Sequence, residues 1–240
     1  MKDGERFGRA RAAVEWSLVS GLVGIVVLLV VTTVDALTRA DGYDMSRHWI
    51  SLLQRGDRGE IGTVTFVVSG LALLGSVPGL LAVRPSGRRD SRIPALVATL
   101  GGSLLLIAAF PIDPSTEYPV PLDRFTLSWS GRVHSLAGTT VIVALAALCI
   151  AVGGALEQRP GSRRSTPIAA RTSGVLIGVL FLACSAAVAF STSGRWEAAR
   201  IGAFQRFAIL LGTSWLAWYT VRTMMGPDIE GESWHIQASR

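Results

Sequence analysis

The sequence predicts an all-α, polytopic membrane protein built as a bundle of six transmembrane helices. Three observations carry that prediction. Six mostly apolar runs occupy residues 16–36, 62–83, 93–110, 133–153, 172–190 and 204–222. Hydrophobic residues make up 50% of the 240-residue chain and charged ones only 17%. The charges also cluster between the runs rather than within them. A hydrocarbon core of about 30 Å takes roughly 20 apolar residues at the helical rise. Inside lipid every backbone N–H and C=O must be paired internally, so each isolated crossing has to be helical.

The first run exceeds a secretory h-region of about 7–15 residues, and no small-x-small cleavage site follows it. It is expected to stay as a helix. The second carries Pro78 near its end, which removes a backbone donor and predicts a kink. The third stops at Phe110-Pro111-Ile112-Asp113-Pro114, where two prolines stiffen the backbone and end the helix. The fourth opens on Trp129-Ser130-Gly131-Arg132-Val133-His134-Ser135. Cys149 and Cys184 fall in the fourth and fifth runs and read as small buried residues, with no disulfide framework or metal spacing. The sixth begins with Gln205 and Arg206, polar at the very start of an apolar run. Small residues four apart (Ser20 and Gly24, Gly75 and Gly79, Gly131 and Ser135) and the Gly101-Gly102 notch predict close helix contacts. Such faces serve either packing within the bundle or a homo-oligomer.

Connectors between the runs alternate between the two sides of the membrane. Arg84, Arg88, Arg89 and Arg92 crowd one short connector; Arg159, Arg163, Arg164 and Arg171 crowd another. Positive charge in short loops marks the cytoplasmic side, so both termini are expected there. The expected organisation is a cytoplasmic tail over 1–15, a six-helix domain in the cell membrane over 16–222, and a flexible cytoplasmic tail over 223–240. Trp234 and His235 in that last tail read as incidental. A net charge of +6 flanks the runs and so speaks for membrane anchoring, not for a nucleic-acid partner.

The unusual polar and aromatic residues collect in the segments of the opposite, outer side. From Ser46 the first of these is expected to form a short interfacial helix capped by Asp44 or Ser46. Trp49, Ile50, Leu52 and Leu53 would face the membrane boundary, while His48 and Ser51 share a side. Asp113 sits at a helix exit and needs a partner, with arginine or histidine the candidates. His134 lies about one turn into the next helix at a similar depth, and Ser130 shares its face.

In their order these signals resemble the prokaryotic membrane-protein family called domain of unknown function 998. The residues that carry the resemblance are Tyr43, Asp44, Ile50 and Ser51 in the outer segment, then Phe110, Pro111 and Asp113 at the helix exit. His134 follows at the next helix start, and Gln205 and Arg206 precede the last run. It covers roughly residues 15–222, implies a six-helix membrane domain, and supplies no activity or substrate.

Three classes of function fit these residues, in descending order. The first is a membrane module that binds lipid or a partner protein. Asp113, His134 and Arg206 would form its polar and ionic outer cluster, with Tyr43, His48, Gln205 and Arg206 as binding residues. The second is an outward-facing hydrolase of a lipid or lipid-linked substrate. There Asp113 would orient His134 as general base, and Ser51 or Ser130 would be the nucleophile. A metal-dependent version would ligate through His48, Asp113 and His134, although no H-E-x-x-H or G-x-S-x-G motif is present. The third is transport, which needs charges inside the membrane; only Asp35, near the outer end of the first run, comes close. No cofactor is implied. A haem carrier needs two facing histidines, and only His134 lies within a run.

Overall fold

The computed structural model describes residues 2–83, 92–115, 118–119, 126–158, 163–190 and 200–225. Its helices are α1 (Lys2–Thr38), α2 (Gly59–Ala82), α3 (Arg92–Ala109), α4 (Trp129–Glu157), α5 (Ser165–Phe190) and α6 (Ile201–Met224). A 3-10 segment at Ile50–Gln54 lies between α1 and α2, and there is no strand among the described residues. Among the described residues, five helical stretches are long and apolar enough to cross a membrane: Gly8–Thr38, Gly59–Ala82, Arg92–Ala109, Trp129–Glu157 and Ser165–Ala186. The protein is therefore all-α, with helices of membrane type. α6 is as long as α2, but Gln205 and Arg206 at its start and Trp215, Trp218, Tyr219 and several threonines in its body dilute its apolar character.

α1 runs back to Lys2, so most of the segment expected as an N-terminal tail continues the first helix. Ion pairs four residues apart, Glu5 with Arg9 and Arg11 with Glu15, brace its exposed surface. Trp234 and His235, like Arg84, Arg88, Arg89 and Arg159, lie outside the described residues.

From α1 to α5 each helix packs on the next, and α6 then inserts against α4, α5 and α1. α4 is the core of the bundle: Leu145, Leu148, Cys149 and Val152 are all fully enclosed. α5 stands outermost and leaves Val175, Leu176, Val179 and Leu182 exposed, the surface expected of a helix that meets lipid tails.

Of the small residues singled out in the sequence, Gly24, Gly75, Gly79 and Gly101 meet a neighbouring helix, whereas a Cβ on Gly102 would meet nothing within 4 Å and Ser135 is exposed. A Cβ on Gly24 would sit 2.9 Å from Ala72 Cβ, and one on Gly79 would sit 2.9 Å from Ser17 Oγ, so α1 and α2 touch backbone to backbone. Gly70 and Gly101 make the same approach between α2 and α3, each facing the other's carbonyl oxygen. Ser17 Oγ donates to Gly75 O at 2.6 Å and accepts from Gly79 N at 2.8 Å. It thereby inserts into the α2 hydrogen-bond ladder beside Pro78, which is how a helix interrupted by proline recovers its backbone partners.

The chain's irregular features gather at one end of the bundle, where α1, α3 and α5 finish and α2, α4 and α6 begin. We call it the cap end.

Candidate functional site

The cap end is organised by two arginines that hold the segment between α1 and α2. Arg39 follows the last turn of α1, with its side chain 1% exposed. Its guanidinium takes Asp35 Oδ2 at 2.9 Å from Nη2 and 3.1 Å from Nε. It also donates to three carbonyls of the returning segment: Leu53 O at 2.7 Å, Arg55 O at 2.6 Å and Arg58 O at 3.0 Å. Nη1 reaches Tyr118 Oη at 2.7 Å and Asp41 at 3.2 Å, and Tyr118 in turn donates to Asp41 Oδ2 at 2.8 Å. Arg58 Nη2 lies 3.2 Å from Asp35 Oδ1, although that oxygen has no aligned hydrogen bond. Burial alone would lower the Arg39 pKa, but the Asp35 carboxylate and the Tyr118 hydroxyl raise it. Burial would likewise lift Asp41, yet the Tyr118 hydroxyl and the Arg39 charge hold it below the usual carboxylate range. Burial and the bond to Asp41 push the Tyr118 phenol up.

Arg206, in the first turns of α6, does the same from the other side. Nη1 donates to Met45 O at 2.6 Å, His48 O at 3.1 Å and Gly202 O at 3.3 Å, and Nη2 donates to Tyr43 Oη at 2.6 Å. Tyr43 passes its own proton to Trp49 O at 3.0 Å. Its phenol is raised by burial, against the pull of the Arg206 charge. The neighbouring Gln205 accepts from Ile50 N at 2.8 Å, and Ala203 N donates to Ser46 O at 2.9 Å. Gly202 permits this contact, because a Cβ there would overlap His48 O and Met45 O. Tyr43, His48 and Tyr118 stack into one aromatic cluster, with ring centroids 5.3–5.4 Å apart.

Held from both sides, the 3-10 segment is pushed into the bundle, and all five of its residues are buried. Opposite it Asp113, just past α3, is joined to Ser128, just before α4. Its Oδ2 accepts from Ser128 N at 2.8 Å and its Oδ1 from Ser128 Oγ at 2.7 Å. Ser128 itself caps α4, accepting from Gly131 N at 3.0 Å. The carboxylate thus sits at a helix N-terminus, where negative charge is favoured, and Gly131 leaves the room it needs. Ser130 donates to Pro111 O at 3.0 Å. His134, a turn further in, has Nδ1 2.8 Å from Phe110 O. A carbonyl only accepts, so Nδ1 carries the proton, and in the neutral ring Nε2 keeps the lone pair.

Between these parts lies a cavity of about 420 Å³, within the range of small-ligand sites. Ser51, Ser115, Asp113, His134 and Gln205 supply its polar wall. Trp49, Leu52, Ile112, Leu127, Ile142 and Phe181 supply its apolar one. The cavity continues along exposed Ser135 and Thr139 of α4 and Ser185 of α5, so it opens sideways between those helices.

The model of the family described as protein of unknown function (DUF998) matches residues 22–222. The chain belongs to that family. No curated protein and no solved structure matches it. The DUF998 match takes in every residue of the cap end, from Asp35 to Arg206.

The DUF998 fold brings together some of the residues expected to act together and separates others. Ser51, Asp113, His134 and Gln205 share the cavity. Tyr43, His48 and Arg206 sit behind it, bracing the 3-10 segment. Asp113 does not orient His134: both its oxygens are engaged by Ser128, while His134 Nδ1 is taken by a backbone carbonyl. Asp113, His134 and Arg206 form no ionic cluster either, since the fold closes each on a nearer partner. His48 turns Nδ1 toward Asp44 N at 2.9 Å, and among the described residues no three His, Cys, Asp or Glu side chains group as a metal site requires. The set His48, Asp113 and His134 therefore does not assemble as ligands. The outer helix is also shorter than expected and inverted. Asp44 accepts from Ser46 N and Oγ, both at 2.8 Å, in a turn rather than a helix cap. Ile50, Leu52 and Leu53 pack into the core instead of facing lipid.

Sequence reasoning missed the ionic centre that does exist, Asp35–Arg39–Asp41 with Tyr118. One signal was present: Asp35 and Arg39 stand four apart at the end of an apolar helix, the spacing of a facing pair. Nothing local pointed to Tyr118 or to the carbonyls of residues 53–58.

Proposed function

We propose that this chain crosses the cell membrane six times, with both termini in the cytoplasm, and that its outward cap end binds part of a membrane lipid. Support for the sixth crossing comes from the length of α6, whose 24 residues span about 36 Å at the helical rise. Its far end carries Arg222 over the face of Trp218 at 5.7 Å, a pairing suited to the headgroup level of the inner side. The lipid reading rests on one observation: the cavity has a polar wall at the cap end, an apolar wall, and a mouth between α4 and α5 where acyl chains would lie. Gly138 lines this cavity, and a Cβ there meets nothing within 4 Å. Gly138→Trp is expected to fill the space without disturbing the fold and to cut co-purifying lipid at least tenfold. Native mass spectrometry after detergent exchange reads this out, with Gly138→Leu as the milder variant. Equal lipid retention in both variants would refute lipid binding in the cavity.

A second reading, a hydrolase of a lipid-linked substrate, is favoured by Ser51 and His134 sharing the cavity wall. The engagement of Asp113 by Ser128 counts against it. On the binding reading, purified protein hydrolyses no fluorogenic acyl ester or phosphodiester lipid above the rate of Ser51→Ala. Turnover lost in both Ser51→Ala and His134→Gln would establish the hydrolase instead.

A further inference from the structure

Resting on the lipid-binding reading, we infer that the cavity takes the uncharged, hydroxyl-bearing end of a membrane amphiphile, of the diacylglycerol type, and disfavours a phosphate-bearing end. The buried polar groups of its wall are Ser51, Ser115 and His134, all more than nine-tenths enclosed, and of these Ser115 already gives its hydroxyl to Tyr118 O at 3.2 Å and accepts from Tyr118 N at 3.0 Å. Gln205 joins them, its Oε1 held by Ile50 N, so its NH₂ is the group left to donate. His134 donates through Nδ1 to Phe110 O, and its neutral ring offers a lone pair at Nε2. The Ser51 hydroxyl, an amide NH₂ and an imidazole lone pair match an alcohol, which both donates and accepts.

They match a phosphate poorly. Among the described residues no arginine or lysine lines the cavity. Arg39 and Arg206 direct their guanidinium groups to backbone carbonyls, tyrosine hydroxyls and, for Arg39, carboxylates. The N-terminus of α4, which would attract an anion, already holds Asp113 through Ser128. Asp113 is the sole formal charge on the described wall. In a low-dielectric site an incoming phosphate would face that like charge, with Arg55 standing behind the wall and its Nε given to Ile112 O at 2.6 Å. The exposed hydroxyls of Ser135, Thr139 and Ser185 at the mouth give an uncharged head a polar path in from the bilayer.

The experiment offers purified protein an equimolar mixture of diacylglycerol and phosphatidic acid with identical acyl chains, and counts each bound by native mass spectrometry. The expected result is at least tenfold more diacylglycerol bound, lost in Gly138→Trp, with the preference shrinking in Asp113→Asn. Binding that favours phosphatidic acid and is lost in Gly138→Trp would overturn this inference and leave lipid binding standing. Binding of both lipids that is unchanged in Gly138→Trp and Gly138→Leu would overturn the lipid reading itself, and this inference with it.

Discussion

Replacing Arg39 with methionine is expected to cost about 3–5 kcal/mol of stability, the range for removing one partner of a buried ion pair. The two side chains are 1% and 3% exposed, so water cannot take over the role of the guanidinium. The loss takes the partners of Asp35 Oδ2 and of Leu53 O, while Asp35 Oδ1 keeps Arg58 at 3.2 Å, Arg55 O keeps Tyr118 Oη at 3.2 Å and Arg58 O keeps Ile61 N at 3.1 Å. Each unsatisfied buried acceptor adds a desolvation penalty. Folded fraction against SDS concentration, followed by circular dichroism of the purified protein in mild detergent, measures the effect. The double variant Asp35→Asn with Arg39→Met should recover part of the loss by removing the weakly paired charge, but not the part that belongs to the Leu53 carbonyl. A change under 1 kcal/mol in Arg39→Met would mean that this centre does not hold the cap end together.

Arg206→Leu is expected to cost about 2–3 kcal/mol, since hydrogen bonds from a charged donor contribute roughly 1.5–3 kcal/mol and those sharing one group do not add fully. Leucine keeps the apolar stem but releases Met45 O, His48 O and Tyr43 Oη, so α6 loses its grip on the segment before the 3-10 turn. Arg206→Lys should rescue less than half. One ammonium cannot reach two carbonyls and a phenol with the planar fork that Arg206 uses. Because Gln205 is joined to Ile50 and lines the cavity, the loosening should also reduce bound lipid, which separates it from a purely global loss of stability. The two measurements belong together: SDS unfolding for the first effect, native mass spectrometry for the second. Full stability in Arg206→Leu would show that α6 docks without its guanidinium, through Ala203, Gln205 and its apolar face.

These two residues show how legible the site was. Arg206 and Gln205 stood out in the sequence because polar side chains opening an apolar run need a reason, and the reason is a row of backbone carbonyls for Arg206 and the Ile50 N–H for Gln205. Arg39 did not stand out, because it lies just past a run, where a snorkelling arginine is ordinary. Its burial depends on the 3-10 segment folding back over it. Asp113 and His134 both line the cavity, but each is bonded to another partner. Sequence spacing gives depth along a helix, whereas the partner is chosen by whichever group arrives first, here Ser128 for the aspartate and the Phe110 carbonyl for the histidine. The small-residue pairs Ser20/Gly24 and Gly75/Gly79 fared better, since lipid leaves helices little but backbone proximity to associate by.

By itself, then, the sequence determined the all-α class, the positions of the apolar helices, the proline stop after Phe110 and the family to which the chain belongs. Those features follow from local rules: the thickness of the bilayer, the lack of water partners for the backbone, and the geometry of proline. Only the tertiary structure decided that residues 50–54 enter the bundle instead of lying on the membrane, that two arginines bind backbone rather than acids alone, and that a cavity opens between α4 and α5. Those outcomes turn on contacts between residues up to 163 positions apart. Within a low-dielectric interior each polar group must be satisfied by whatever the folded chain delivers to it, and no local pattern specifies that partner.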